Sequence, residues 1–281
     1  MARYAILDEI KGLDPQADHE RIVHLTACYE FPFDMTRALE FALFRTYCVP
    51  SVSALLARTG EFEARPQKRY DDTDIIISEM MEHGYSSPRG ERALARMNQI
   101  HGRFRIANED FLYVLSTFVF EPIRWIDRYA WRPMCGQERL AMFHFWREVG
   151  RRMGIEDLPQ DYGRFDAFNR AFERDHYRYS DTNRRIGEAT VALFASWFPA
   201  PVRPAVRSSI RAMLDDPLIE AFGFPRPPPL MRRTVRSALG LRGYLSGWLP
   251  RRSSPRLRSA MRRPSYPCGH TIERLGPPDP H

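Results

Sequence analysis

The chain contains 281 residues, with 42 Lys and Arg against 35 Asp and Glu, which gives a formal net charge of +7. Hydrophobic residues make up 43% of the chain and aromatic residues 12%, which excludes disorder throughout because this content can bury a core. With 16 glycines and no sustained heptad, the composition also excludes collagen and an extended coiled coil. The length allows one large domain or two small ones.

The cysteines and the N-terminal residues indicate the compartment. Four scattered cysteines without a C-x-x-C pair predict neither a disulfide framework nor a structural zinc site: Cys28, Cys48, Cys135 and Cys268. The first residues form no long apolar stretch, and no window reaches the roughly 18 uninterrupted apolar residues that a spanning helix needs. We therefore expect a cytoplasmic protein, soluble or peripheral to a membrane, without a signal peptide or a transmembrane helix.

The hydrophobic pattern predicts an all-α fold, because apolar residues recur at spacings of three and four and strict alternation is rare. Asp34 is predicted to cap the first helix, and Ser87 before Pro88 predicts the start of the third. The helix that opens at Asn108 is apolar on nearly every side, which predicts a central position. The predicted helices cover, in chain order, about residues 34–45, 65–83, 88–104, 108–131, 137–153, 161–179, 181–198, 204–214 and 230–249.

The composition changes at Phe224. Residues 224–281 hold twelve arginines against Glu273 and Asp279, a net charge of +10, so the rest of the chain carries −3. We predict a helical core over residues 1–224, with its motif region at 65–200, and a basic C-terminal arm over 225–281 that packs on the core.

Within this arm, residues 230–249 are predicted to form a short basic amphipathic helix. Its apolar side would comprise Met231, Val235, Ala238, Leu241, Leu245 and Trp248. Such a helix suits peripheral contact with an anionic membrane surface. The other interpretation is an arm that packs on the core and keeps its arginines in water, and the sequence leaves both open.

A candidate site lies on the second and third predicted helices. Arg69 and Thr73 are four residues apart and therefore share a helix face. The spacing of Leu94, Met97 and Phe104 around His101 places this histidine in an apolar stripe, where each ring nitrogen needs a partner in place of water. A metal on one nitrogen and a backbone carbonyl on the other would satisfy it. A core histidine bonded to the backbone, and an exposed arginine in a first helical turn, are the alternatives.

Several familiar catalytic motifs are absent from the sequence. There is no H-E-x-x-H, no G-x-G-x-x-G, no G-x-x-x-x-G-K-[ST] and no G-x-S-x-G. No histidine is followed two residues later by Asp or Glu, which removes the usual start of a 2-His-1-carboxylate iron site. These absences argue against a zincin, the common nucleotide-binding loops and an α/β-hydrolase.

The run MNQIHGRFRIANEDFLYVLSTFVFEPIRWIDRYAWRP, followed by FHFWREVGRRMGI, resembles a family of haem oxygenases. This MpaB-like/rubber (latex-clearing) oxygenase family includes a fungal mycophenolic-acid pathway oxygenase. In the family an R-x-x-x-T pattern precedes a single histidine by about thirty residues. Arg69 and Thr73 fit the pattern, and His101 follows Thr73 by 28 positions. The resemblance spans about residues 65–249 and includes the closing YPCGHT and LGP segments at 266–271 and 275–277.

The resemblance implies a globin-like helical bundle that encloses haem b, with His101 as the axial ligand of the iron. Dioxygen would be the co-substrate, and a C=C bond of a lipophilic, isoprenoid-like molecule would be cleaved. Arg69 and Thr73 would lie at the haem and act in catalysis, whereas Arg103 or Arg105 would pair with the propionates. An apolar cavity would be lined by Met80, Met97, Phe104 and Phe111. Other polar candidates for contact with haem are His144, His176, Tyr177 and Asn183.

One position departs from the family. Rubber oxygenases have a lysine immediately before the motif threonine, and here that residue is Asp72, which favours the pathway-enzyme branch. Two further interpretations stay open: a non-enzymatic protein that binds a membrane surface or nucleic acid through the basic arm, and a family member that has lost its haem. Because the arm lacks interleaved aromatic and basic residues and a groove-reading module, we do not expect nucleic acid as a partner.

Overall fold

The computed structural model describes residues 3–277, which form α-helices and short turns without a β-strand. The all-α class predicted from the sequence is confirmed, whereas the globin-like arrangement stays a prediction. The helices described within this range are α1 (Ala5–Lys11), α2 (His19–Leu25), α3 (Pro32–Thr46), α4 (Pro50–Thr59), α5 (Glu61–Ala64), α6 (Pro66–His83), α7 (Pro88–His101), α8 (Asn108–Tyr129), α9 (Gly136–Arg152), α10 (Tyr162–His176), α11 (Asp181–Ser196), α12 (Arg203–Met213), α13 (Asp216–Phe222) and α14 (Pro229–Ser246).

All nine helices predicted from the sequence are present, and no end differs by more than three residues. Their boundaries depend on local signals, such as the Ser87 side chain that accepts a hydrogen bond from the Gly90 backbone N–H at 3.1 Å. The predicted cap at Asp34 is wrong. The helix begins at Pro32, and Asp34 lies inside it, where its buried carboxylate accepts from Trp125 Nε1 at 3.2 Å.

Helix α8 lies at the centre of the molecule, as its apolar sequence predicts. It packs against α3, α9, α10 and α14, and most of its side chains from Leu112 to Tyr129 are buried. Pro122 lies inside α8 without ending it. The main hydrophobic core surrounds this helix, and a second core lies between α3, α5, α11, α12 and α13, around Phe44 and Phe222. The site described below lies where α6 and α7 meet these cores.

Helix α14 is attached to α8 by a close backbone approach. A Cβ atom added at Gly243 would lie 2.1 Å from the Tyr129 carbonyl oxygen, which leaves room for no residue but glycine. Beside it, the Arg242 guanidinium donates to Tyr129 O at 3.2 Å and forms an ion pair with Asp34. This pair of contacts fixes which side of α14 faces the core.

The chain after α14 crosses the outer face of α6. Arg258 and Arg263 both pair with Asp74, with Arg258 Nη2 2.9 Å from Asp74 Oδ2. The Ser259 hydroxyl donates to the buried Glu82 carboxylate at 2.5 Å. Arg258 is largely buried and Arg263 is buried. The interpretation that the arm keeps its arginines in water is therefore wrong for these two residues.

No single helix within residues 3–277 has the length and apolar content to cross a membrane. Helices α3 and α4 meet that criterion only when they are taken together, and the pair is bent by 100° at the break between them.

The close approach of α14 to α8 leads to a prediction on stability. Gly243→Ala should lower the free energy of unfolding by about 3 kcal/mol, because the new methyl group meets a backbone oxygen that cannot move aside cheaply. Gly240→Ala, in the same helix with open space around it, is the matched control and should raise stability by up to about 1 kcal/mol. Urea denaturation of both variants measures the difference, and equal stabilities would contradict this packing.

Candidate functional site

Arg69 and Thr73 lie one turn apart on α6 and contact each other. The Arg69 guanidinium donates to Thr73 Oγ1, and the Thr73 hydroxyl donates to the Arg69 carbonyl oxygen at 3.1 Å. The guanidinium also lies over the Phe62 ring, 5.4 Å from its centroid. The two residues therefore share a face, as their spacing predicts, and Thr73 holds the head group of Arg69.

His101 is the last residue of α7, and its imidazole is largely removed from water. The ring meets Phe111 edge-on, with centroids 5.4 Å apart. Its Nδ1 atom is buried and has no hydrogen-bond partner among the described residues. Burial, aided by the positive charge of Arg69, lowers the pKa of His101 to about 4. The side chain is therefore a neutral imidazole with an unsatisfied nitrogen, which differs from the alternative of a core histidine bonded to the backbone.

A small cavity of about 30 Å³ adjoins Arg69 and Thr73. Its walls come from α3, α5, α6 and α11, and they include Tyr47, Phe62 and Phe194. This volume holds a water molecule and is far too small for a porphyrin, and His101 does not line it. The nitrogen of His101, rather than this cavity, is therefore the feature that fits a haem ligand.

The predicted apolar lining is distributed differently in the structure. Met80 and Met97 are buried in the main core, whereas Phe104 and Phe111 are half-buried. None of these four residues lines the small cavity. Packing produces the same spacing of apolar residues as a cofactor pocket, which explains why the sequence could not separate the two roles.

Glu40 and Tyr70 form a buried polar pair at the edge of the small cavity, which the sequence analysis missed. The Tyr70 hydroxyl donates to Glu40 Oε1 at 2.6 Å, and Arg37 Nη2 lies 2.7 Å from the same oxygen. Burial nevertheless raises the pKa of Glu40 to about 7, and it also raises the pKa of Tyr70. The cavity edge therefore carries a carboxyl group that titrates near neutral pH.

Asp72 points away from the Arg69–Thr73 pair. Lys68 Nζ lies 2.7 Å from Asp72 Oδ2 and also donates to the Gly276 carbonyl oxygen at 2.8 Å. The Tyr266 hydroxyl donates to the other oxygen of Asp72. Asp72 thus anchors the C-terminal segment and offers no ligand to the site.

The other polar candidates have structural partners. Asn183 is fully buried and donates to the carbonyl oxygens of Cys48 and Ala221. Tyr177 shares a hydrogen bond of 2.5 Å with the Tyr113 hydroxyl. The His176 ring stacks on Phe172, with centroids 3.9 Å apart. None of these contacts places a side chain beside His101.

The remaining candidates lie at the surface. His144 is half-buried on α9, where its ring lies 6.5 Å from that of His19. Arg103 donates to the Pro277 carbonyl oxygen at 3.5 Å, and Arg105 is exposed. The proposed pairing of either arginine with propionates stays a prediction.

A larger cavity of about 870 Å³ lies between α3, α8, α10 and α13 and shares no lining residue with the small one. Arg45 at its wall donates to both oxygens of Glu173, at 2.8 and 2.6 Å, and pairs with Asp215 at 2.8 Å. Glu121 Oε2 lies 3.5 Å from Arg45 Nε without a hydrogen bond, and burial raises the pKa of this carboxyl. No sequence pattern predicts this cluster, because its members are up to 170 residues apart.

No group of three or more His, Cys, Asp or Glu side chains within residues 3–277 is arranged to hold a metal ion. A metal held by protein ligands alone is therefore not suggested by the described part of the chain. A haem iron differs, since the porphyrin supplies four of its ligands and a single histidine can supply the fifth.

An all-α fold that combines an Arg–Thr pair on one helix with a desolvated histidine on the next is the arrangement expected from the resemblance to haem oxygenases. The family model described as "ER-bound oxygenase mpaB/B'/Rubber oxygenase, catalytic domain" matches residues 37–245. The chain belongs to this family of catalytic domains.

Three curated relatives support the assignment. The chain is 30% identical over 239 residues to "ER-bound oxygenase mpaB'" of Penicillium brevicompactum, covering 78% of this chain and 56% of the relative. It is 33% identical over 216 residues to "ER-bound oxygenase mpaB" of Penicillium roqueforti, covering 70% and 72%. Against mpaB of Penicillium brevicompactum the identity is 33% over 192 residues, covering 61% and 49%. The chain thus spans about half of the length of two of these relatives.

The buried Glu40 leads to a prediction on pH dependence. The folded protein keeps the Glu40 proton up to about pH 7, whereas the unfolded chain releases it near its ordinary pKa of 4.5. Stability contributed by this group is therefore lost as the pH rises from 4.5 to 7. The glutamine in Glu40→Gln cannot ionise. Between about pH 5 and pH 8 this variant should therefore lose about 2 kcal/mol less unfolding free energy than the unmodified protein.

Chemical denaturation at the two pH values measures this difference. The exposed Glu63, replaced as Glu63→Gln, is the matched control and should leave the pH dependence as it is in the unmodified protein. If Glu40→Gln had the same pH dependence as Glu63→Gln, a protonated Glu40 at neutral pH would be contradicted.

Proposed function

We propose that this chain is a haem b-dependent oxygenase that uses dioxygen to cleave a C=C bond in a lipophilic, isoprenoid-like substrate. Membership of the oxygenase family supports the reaction class, and the relatives are named as oxygenases. The observation that carries the proposal is the buried Nδ1 of His101, which has no partner among the described residues.

His101 would hold the haem iron. A metal ligand must be deprotonated, and the lowered pKa keeps this imidazole neutral at physiological pH. Bound haem would supply the activation of dioxygen, which side chains alone do not provide. The edge contact with Phe111 restricts the orientation of the imidazole ring.

Arg69 would bind and orient a polar oxygen atom in the site. No carboxylate within residues 3–277 pairs with its guanidinium, whose described contacts are Thr73 Oγ1 and the Phe62 ring. A partly desolvated positive donor of this kind stabilises developing negative charge. Thr73 would act as a positioning residue, because its own proton is directed to the Arg69 carbonyl oxygen.

The surroundings of the pair suit a hydrocarbon. Tyr47, Phe62, Leu193 and Phe194 supply apolar surface around Arg69, and such walls exclude water from a reacting centre. Glu40 belongs to the same lining, and its raised pKa allows it to hold a proton at neutral pH. The apolar walls, rather than the volume of the cavity, support a lipophilic substrate.

The proposal predicts a haem spectrum that depends on His101. The purified protein should show a Soret band with haem bound, and His101→Ala should abolish it because the axial nitrogen is removed. His144→Ala, which removes a half-buried histidine of α9, is the matched control and should leave the band intact. Absorption spectroscopy after reconstitution with hemin measures both variants. A protein that stays colourless would instead favour the family member without haem.

A second prediction separates Arg69 from haem binding. Arg69→Gln should retain the Soret band but lower turnover of an unsaturated isoprenoid by about 100-fold, because the charged hydrogen-bond donor that stabilises developing negative charge is lost. Thr73→Val should have a smaller effect of the same kind, since the guanidinium remains but loses its hydrogen-bond partner. Carbonyl products are quantified by mass spectrometry at equal haem content. Unchanged turnover in Arg69→Gln would remove Arg69 from the mechanism.

A further inference from the structure

The C-terminal end of α14 and the turn that follows it carry large, solvent-exposed apolar side chains. Five of them are between 54% and 69% exposed, and together they define the docking face: Leu241, Tyr244, Leu245, Trp248 and Leu249. Leu241, Tyr244 and Leu245 are three and four residues apart and share one side of the helix. Trp248 lies in the turn after α14, with its ring centroid 6.1 Å from that of Tyr244. A continuous apolar strip of this kind on a folded protein marks an interaction surface.

The orientation of α14 keeps this strip outside. Gly243 lies against the Tyr129 carbonyl oxygen, and Arg242 pairs with Asp34, both on the side that faces α8. Leu239 packs against the main core. Because these contacts occupy the inner side of the helix, the docking face cannot turn inward without breaking them.

The surroundings of the docking face are basic. Between residues 221 and 272 the sequence holds eleven arginines and no Asp or Glu. Four of these side chains are exposed and pair with no carboxylate of the described residues: Arg233, Arg252, Arg256 and Arg262. Arg252 follows the docking face by three residues, and the Arg3 guanidinium lies over the Trp248 ring, 5.9 Å from its centroid. Positive charge beside an apolar strip attracts an anionic partner, and the attraction weakens with salt.

We propose that the docking face binds the surface of an anionic lipid bilayer. Leucine with Trp and Tyr inserts at the boundary between head groups and acyl chains, and arginines beside it bind anionic head groups. A second copy of the chain would bring two positive faces together, which opposes self-association. Nucleic acid would satisfy the arginines but leave the five apolar side chains without a partner.

This inference is independent of haem. It concerns a surface on α14, whereas the proposed catalytic residues lie on α6 and α7. Vesicle binding and the Soret band are separate measurements, so either proposal can fail without the other. Together they would place an oxygenase at the surface in which lipophilic substrates dissolve.

Flotation of the full chain tests the proposal. The probes are vesicles of phosphatidylcholine alone and vesicles of phosphatidylcholine with phosphatidylglycerol. The protein should float with the anionic vesicles, and raising the salt concentration should weaken this binding. Leu245→Ser/Trp248→Ser should lower the partition coefficient by about tenfold or more, because two apolar side chains no longer insert. Leu140→Ser/Val202→Ser changes two exposed apolar residues outside α14 and should bind as the unmodified protein does.

Thermal melting of both variants verifies that they are folded, as expected for exposed positions. Equal flotation of Leu245→Ser/Trp248→Ser and the unmodified chain would overturn the proposal, and so would equal binding to neutral and anionic vesicles. Light scattering in the absence of lipid gives the oligomeric state. If the unmodified chain is a dimer that Leu245→Ser/Trp248→Ser separates, while flotation is absent, the face binds a second copy. Salt-sensitive binding of duplex DNA without vesicle binding would also overturn it.

Discussion

The placement of the candidate site depends on the neutralisation of buried carboxylates on α6 by the C-terminal segment. Asp74 pairs with Arg258 and Arg263, Glu82 accepts from Ser259, and Asp72 accepts from Tyr266. A carboxylate that is buried without such partners costs several kcal/mol, so α6 cannot adopt this position unless the segment lies across it. The segment thus contacts α6 on both sides of Thr73, while Arg69 and Thr73 line the small cavity.

This arrangement gives the aspartate before the motif threonine a physical role. A lysine at position 72 would face Lys68 and would lose the hydrogen bond from Tyr266, so the local charge pattern suits an acid. Lys68 itself is held by Asp72 and the Gly276 carbonyl oxygen. Neither side chain is directed to the Arg69–Thr73 pair, so no lysine of α6 reaches the candidate site.

Features that depend on contacts between residues close in the chain could be predicted from the sequence, whereas features that depend on distant residues could not. Helix α7 and the shared face of Arg69 and Thr73 depend on neighbours within four residues, and the prediction for both is confirmed by the structure. The Asp34 error has the opposite cause, since that carboxylate is bound by Trp125 and Arg242, 91 and 208 residues away. The apolar stripe around His101 correctly predicted that its side chain is buried. Whether its Nδ1 atom finds a hydrogen-bond partner depends on every helix that packs around it, and the sequence does not show this. The Arg45 cluster was missed for the same reason.

The basic arm shows why net charge alone does not locate a binding surface. Within residues 3–277, Arg226, Arg232, Arg242, Arg258 and Arg263 each have a carboxylate partner, so their charge is largely cancelled. No carboxylate of the described residues pairs with four exposed arginines of the same arm: Arg233, Arg252, Arg256 and Arg262. Two of the four lie within a few residues of the ends of α14, which also exposes its apolar strip. The part of the charge that acts outside the molecule is therefore smaller than the composition indicates, and Arg252 brings part of it within three residues of the exposed apolar strip.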